Sequence, residues 1–213
     1  MCFSAQASFT VAAALGITSC ISLAYSNKEH RMIALVPMLF GLQQIAEGLV
    51  WLGIHNQVNH AIMIMGTYIF TFFAVFFWPL WFSYAFGAIE TNHHKKTLFK
   101  NIQKSAWLYC FLAALSLLFY PPYPSIIDGH LCYFAQLALG LLLLTVIYHI
   151  ILLSSFFISS FWVIRSAGIL ILLLSVLSIT KFYSSFASIW CFFSAVASLL
   201  TLFALQQLKK NNP

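Results

Sequence analysis

Apolar stretches of about 20 residues, long enough to cross roughly 30 Å of hydrocarbon at 1.5 Å per residue, follow one another along nearly the whole chain. Seven can be delimited: Phe3 to Tyr25, Met32 to Ile54, Ala61 to Phe86, Ser105 to Tyr120, Tyr133 to Ser155, Trp162 to Thr180 and Ser185 to Leu208. Continuous runs such as Leu139-Gly140-Leu141-Leu142-Leu143-Leu144 do not alternate as the strands of a membrane barrel must. Helices, in contrast, satisfy every backbone polar group within the segment. The expected fold is an all-α integral membrane protein, a single seven-helix bundle over residues 1–213. Six spans is the alternative count, because the fourth stretch is short before Pro121-Pro122-Tyr123-Pro124 and only Ser154 to Phe161 separates the fifth from the sixth. The longest connection expected is Ile89 to Lys104.

Charge supports the same class. Only 7% of the residues are charged, against about 25% in soluble domains, and the formal net charge of +6 is dispersed over short loops rather than gathered into a nucleic-acid footprint. Lys and Arg are retained on the cytoplasmic side of short loops. With seven spans, Lys28, Arg31, Lys95, Lys96, Lys100, Lys104, Arg165, Lys209 and Lys210 fall on one side and Lys181 alone on the other. The N-terminus is therefore expected outside and the C-terminus in the cytoplasm; six spans would put Lys209 and Lys210 outside. Trp prefers membrane interfaces, so Trp51 and Trp190 are expected at the outer face, and Trp78, Trp81, Trp107 and Trp162 at the cytoplasmic one.

Two motifs carry a resemblance. The opening Met1-Cys2-Phe3-Ser4-Ala5 with Ala7-Ser8-Phe9, and the run Leu39-Phe40-Gly41-Leu42-Gln43-Gln44-Ile45-Ala46-Glu47-Gly48-Leu49-Val50-Trp51, together resemble an uncharacterised family of bacterial integral membrane proteins of about this length. Trp78-Pro79-Leu80-Trp81 with Glu90, and Trp190-Cys191-Phe192-Phe193, are similar to its later motifs. That family carries no established activity, so the resemblance implies positions to examine and a bacterial inner (plasma) membrane, not a reaction.

Glu47 is the residue that hydrocarbon should not tolerate, since an ionised carboxylate near the bilayer centre costs at least about 2.5 kcal/mol. Gln43, Glu47 and Trp51 recur at i, i+4 and i+8, with Gln44 beside them, so one helical face is polar where lipid would require Leu or Val. By helical rise Glu47 lies roughly 6 Å beyond Gln43 toward the outer side. Two chemistries fit that stripe: a carboxylate that binds a cation, carries a proton or acts as acid/base, or a hydrogen-bonding seam between helices.

Other candidates are weaker. Cys2 and Cys191 supply thiols, and Cys2 with Cys132 forms a plausible bridge in an oxidising outer compartment. His149 is intramembrane, on the inner half by the expected boundaries. Asp128-Gly129-His130-Leu131-Cys132 is compact but lacks the spacing of a zinc site and is first a turn signal. Glu90, in the basic cytoplasmic loop, is expected to pair with Lys95 or Lys96 or to cap the loop. No metal or cofactor is expected. A seven-helix count is shared with retinal proteins, but Lys181, at a helix end, offers no buried Schiff-base lysine.

The leading expectation is an outward-opening polar pocket around Gln43, Gln44, Glu47 and Trp51 that binds or transports a small solute or ion. One alternative is an intramembrane enzyme acting on a lipid or membrane-anchored substrate through Glu47 and a Cys thiol. Another is a sensor or structural protein with Glu47 in helix packing. Membrane lipids are the expected partners, nucleic acid is not, and an oligomer is compatible with the sequence.

Overall fold

The computed structural model describes residues 4–133 and 139–211. Among the described residues the regular structure is helical apart from one small hairpin. Ser4 opens α1 (Ala5–Tyr25) by accepting the Ala7 N–H on its hydroxyl at 3.2 Å, satisfying one of the free donors of the first turn. After a 3₁₀ turn, α2 (Arg31–Ala34) leads into α3 (Val36–Ile54). The break falls at Leu35 because Pro37 has no N–H and its ring crowds the carbonyl four residues back. Asn59 caps α4 (His60–Thr71), which continues through a π-helical segment, Phe72–Phe77, into α5 (Trp78–Ile89). Then follow α6 (His93–Phe119), α7 (Leu139–Ile158), α8 (Trp162–Lys181), α9 (Phe186–Ala197) and α10 (Thr201–Asn211), the last two joined by a 3₁₀ turn.

Among the described residues, six helical segments are long and apolar enough to cross a membrane: Ala5–Tyr25, Lys28–Ile54, His60–Ile89, His93–Phe119, Trp162–Lys181 and Tyr183–Lys210. A seventh apolar helix, Leu142–Ile158 in its described part, is shorter. The Lys28–Ile54 segment is the most enclosed, with 67% of its apolar window buried against 22% for His93–Phe119, so α3 forms the axis and α6 the periphery. Along α1 the buried face is Ser8, Ala12, Leu15, Ser19 and Ser22, and all but Leu15 are small side chains that let its backbone approach α3. On the other side of α3, a Cβ at Gly66 would stand 2.8 Å from the Ala46 carbonyl oxygen, so only glycine permits that contact with α4.

The structure departs from the sequence expectation in three places. The expected Ile89–Lys104 connection is mostly helix: Asn92 accepts the Lys95 N–H at 3.2 Å and starts α6 twelve residues before Ser105. Phe99 then turns inward while Lys95, Lys96, Lys100 and Lys104 stay at least partly exposed. Second, β1 (Ser125–Ile127) and β2 (His130–Cys132) pair antiparallel. Asp128 and Gly129 adopt φ of 51° and 78°, the two left-handed residues of a primed hairpin turn. Third, Trp51, Trp78 and Trp190 are buried, whereas Trp107 and Trp162 are exposed. The buried indoles pack on other rings inside the bundle and do not serve as interface anchors.

Candidate functional site

The face of α3 that carries Gln43, Gln44 and Glu47 is shut off from the surface, with no exposure at any of the three and 4% at Trp51. Each polar group has been given specific neighbours. Gln44 Nε2 donates to Glu47 Oε2 at 3.2 Å. The Ser188 hydroxyl, from α9, donates to Glu47 Oε1. Trp78 Nε1 donates to Gln43 Oε1 at 2.9 Å, and because an indole can only donate, this contact fixes which end of the Gln43 amide faces it. The other end, Nε2, has no hydrogen-bond partner, with the Cys191 thiol in its vicinity.

Trp78 reaches Gln43 because of the irregular turn before it. Pro79 cannot donate to the carbonyl four residues earlier, and the helix widens through Phe72–Phe77, as helices do at π-bulges. The Cys110 thiol donates to the Phe76 carbonyl within this segment at 3.6 Å. Phe40, one turn before Gln43 and Gln44, stacks on the Trp78 indole at 3.8 Å between ring centroids.

Beside this stripe lies a cavity of about 120 Å³, and its wall includes Tyr133, Tyr148, His149, Ser188, Trp190 and Cys191. Glu47 does not line it; Ser188 belongs to both the cavity wall and the carboxylate's hydrogen bonds. Four residues of the wall each carry a buried polar atom with no hydrogen-bond partner: Tyr133 Oη, Tyr148 Oη, His149 Nε2 and Trp190 Nε1. His149 Nδ1 lies 2.7 Å from the Thr145 carbonyl oxygen. A carbonyl can only accept, so Nδ1 carries the proton and a neutral imidazole presents Nε2 as a lone pair. The rings interlock, with Tyr148 edge-on to Trp190 and Trp190 stacked on Phe186.

The expected site residues therefore sort as follows. Gln43, Gln44, Glu47 and Cys191 come together. Trp51 shares the α3 face, and its backbone carbonyl is met by His55 Nδ1 at 2.9 Å. His149 was assigned to the half of the bundle opposite Glu47, yet it packs on Phe186 and Trp190, near the start of α9 and next to Ser188. Cys2, and with it a bridge to Cys132, lies outside the described residues. Cys132 is buried in β2. Among the described residues no three His, Cys, Asp or Glu side chains converge as metal ligands would. The outward opening expected at Glu47 is closed by its neighbours; the nearby space belongs to Ser188, Cys191 and the aromatic wall.

Sequence reasoning missed Ser188, Tyr133 and Tyr148. One signal for Ser188 existed: Ser185, Ser188, Cys191 and Ser194 recur every three residues, and all four are buried, which marks the inner face of α9.

Glu90 forms a second polar knot at the other end of α5. Its carboxylate is 1% exposed and accepts the N–H groups of Thr91, Asn92 and Ser160 at 3.0, 3.1 and 2.9 Å, and the Ser160 hydroxyl at 2.8 Å. Burial pushes its pKa up, but these hydrogen bonds and the Lys95 charge outweigh burial and hold it below the ordinary value. The residue caps its loop and ties it to the α7–α8 turn.

Comparison with curated proteins and with solved structures gives no match. A sequence profile for a family of unknown function, DUF6629, matches residues 1–213, and the chain belongs to that family.

Proposed function

We propose that the chain is a seven-span membrane protein, N-terminus outside and C-terminus cytoplasmic, that binds or moves a small polar solute through the cavity beside Glu47. Leu139–Ile158 supplies the seventh span: its 20 residues extend about 30 Å at the helical rise. The sorting of nine basic residues to one side supports the orientation.

The observation that carries the functional reading is the set of four residues lining one cavity that each hold an unpartnered buried polar atom. Buried polar groups are almost always hydrogen-bonded, so a wall with several unsatisfied groups is complementary to something that enters. Trp190 Nε1 requires an acceptor, His149 Nε2 requires a donor, and the Tyr133 and Tyr148 hydroxyls take either role. A neutral molecule bearing both donor and acceptor, such as an amide or alcohol, meets all of them. A cavity of about 150 Å³ holds benzene, so about 120 Å³ sets the solute at a handful of heavy atoms.

Thermal unfolding of the detergent-purified protein against acetamide, urea, glycerol and small amino acids tests this reading. Stabilisation by a member of that set, lost in both Trp190→Phe and Tyr148→Phe, is expected. No stabilisation by any of them, or stabilisation unchanged in both variants, rejects the site. Flux of the stabilising solute into proteoliposomes that is untouched by Glu47→Gln rejects a part for Glu47 in movement.

One observation favours a second reading. Ser188 and Cys191 both line the cavity next to Glu47, the placement an intramembrane enzyme needs for a nucleophile and an acid/base acting on a membrane-anchored substrate. Adduct formation on Ser188 by a fluorophosphonate, or on Cys191 by iodoacetamide, that disappears in Glu47→Gln is the expected signature; adducts equal in both proteins reject it.

A further inference from the structure

A larger cavity of about 220 Å³ lies at the opposite end of the bundle, among α3, α5, α8 and α10. Its inner wall is aromatic hydrocarbon, with Phe40, Phe82 and Phe156 all buried. Its rim carries Trp162 and Phe203, 46% and 47% exposed and in edge contact with each other, so the space reaches the outer surface of the helices between α8 and α10. A polar solute would find little to bond there. Hydrocarbon chains are what the surroundings of such a surface supply.

The charge at this end selects among lipids. Arg165 lies between Ile164 and Ser166, and Lys209 follows Leu208, all three neighbours being wall residues. Arg31 precedes the wall residue Ile33 by two positions. Helices α2 and α10 pack together, and the Lys209 ammonium lies 3.8 Å from the centroid of the Tyr25 ring at the end of α1. Of the two acids at this end, Glu29 sits in the exposed turn, and both oxygens of Glu90 are occupied by Ser160, Thr91 and Asn92. The local balance is positive.

We infer that this chamber holds an acyl chain of an anionic phospholipid, with the phosphate among Arg31, Arg165 and Lys209. The apolar wall excludes water and takes the chain by ordinary apolar burial, while the basic side chains act on the headgroup within a Debye length. The inference rests on the membrane placement proposed above and is independent of the solute cavity.

Native mass spectrometry of the full chain, extracted from vesicles of equal phosphatidylglycerol and phosphatidylcholine with identical acyl chains, tests it. The wild type is expected to retain phosphatidylglycerol over phosphatidylcholine. Arg165→Gln and Lys209→Gln, both adjacent in the chain to wall residues, are each expected to reduce that ratio about fivefold, and Ala204→Phe, which fills the chamber, to reduce retention of both lipids. Equal retention of the two lipids by the wild type overturns the inference, as does a ratio unchanged in both charge variants. Vesicle flotation reads the membrane placement separately: a protein that floats but shows no phosphatidylglycerol preference loses the lipid site alone, and one that does not float loses both.

Discussion

Ser188 on α9 donates its hydroxyl to Oε1 of Glu47 on α3, joining residues 141 positions apart in the chain. The contact makes the Glu47 carboxylate a property of two helices. It also separates two questions that are easily confused, whether Glu47 is needed as a charge and whether it is needed as an acceptor.

Glu47→Gln is expected to fold with a change in stability of about 1 kcal/mol or less. The new amide keeps an oxygen for Ser188, and Gln44 can turn its amide, because Gln44 Oε1 has no partner to lose. Ser188→Ala is expected to be worse, by about 1 to 3 kcal/mol, since it strips a donor from a buried acceptor. Thermal unfolding of both variants in one detergent checks the order; Glu47→Gln proving the more damaging would mean that the charge itself holds the helices.

Trp78 and Gln43 should behave as a coupled pair. Trp78→Phe retains a ring to stack on Phe40 but leaves Gln43 Oε1 unsatisfied inside the bundle, a loss of about 1 to 3 kcal/mol. In a Gln43→Leu background the same substitution has no hydrogen bond to break, and its effect should shrink to that of packing alone. A double-mutant cycle by denaturation measures the difference directly. Additive effects would show that the Trp78–Gln43 bond contributes nothing.

Much of this was legible in the sequence because hydrocarbon is a demanding solvent. Long apolar runs stand out against charged loops, and Glu47 with Gln43 and Gln44 stands out against Leu and Val. The ends of helices were harder. The Asn92 cap, which starts α6 among four lysines, is a local polar signal that a hydropathy reading discards. The cavity was invisible for a different reason: Tyr133, Tyr148, Trp190 and Ser188 are ordinary residues in apolar surroundings, and only the approach of α7, α9 and the hairpin gathers them. Trp78 was misjudged because indole side chains suit both interfaces and cores, and nothing local announces that a π segment will turn this one inward.

Glu90 gives an acid-dependent term of definite sign. Its folded pKa lies below the ordinary 4.5, so its contribution to stability is fully present above that value and is lost as pH falls through the folded pKa. Glu90→Gln is expected to lower thermal stability at neutral pH, because the new NH₂ group faces the Ser160 N–H or hydroxyl, and to flatten the acid limb of the stability profile. Melting curves between neutral pH and about pH 3 for both proteins test this; parallel acid limbs would assign the acid sensitivity to other groups.

Two glycines on the α3 interfaces distinguish rigid from yielding contacts. A Cβ at Gly48 would stand 2.7 Å from the Phe9 ring of α1, whereas one at Gly66 would stand 2.8 Å from the Ala46 carbonyl oxygen, with the Val50 side chain at 3.2 Å. The distances are nearly equal, but a ring on a partly exposed side chain can rotate and a carbonyl inside a helix cannot. Gly66→Ala should therefore force α4 away from α3 and destabilise by about 1 to 3 kcal/mol, the usual range for overpacking, while Gly48→Ala costs less. Because α3 holds Gln43 and Glu47, the Gly66 variant should also loosen the polar stripe, seen as faster hydrogen exchange along α3. Equal stability of the two alanine variants would mean that the α3–α4 contact is as compliant as the α1–α3 contact.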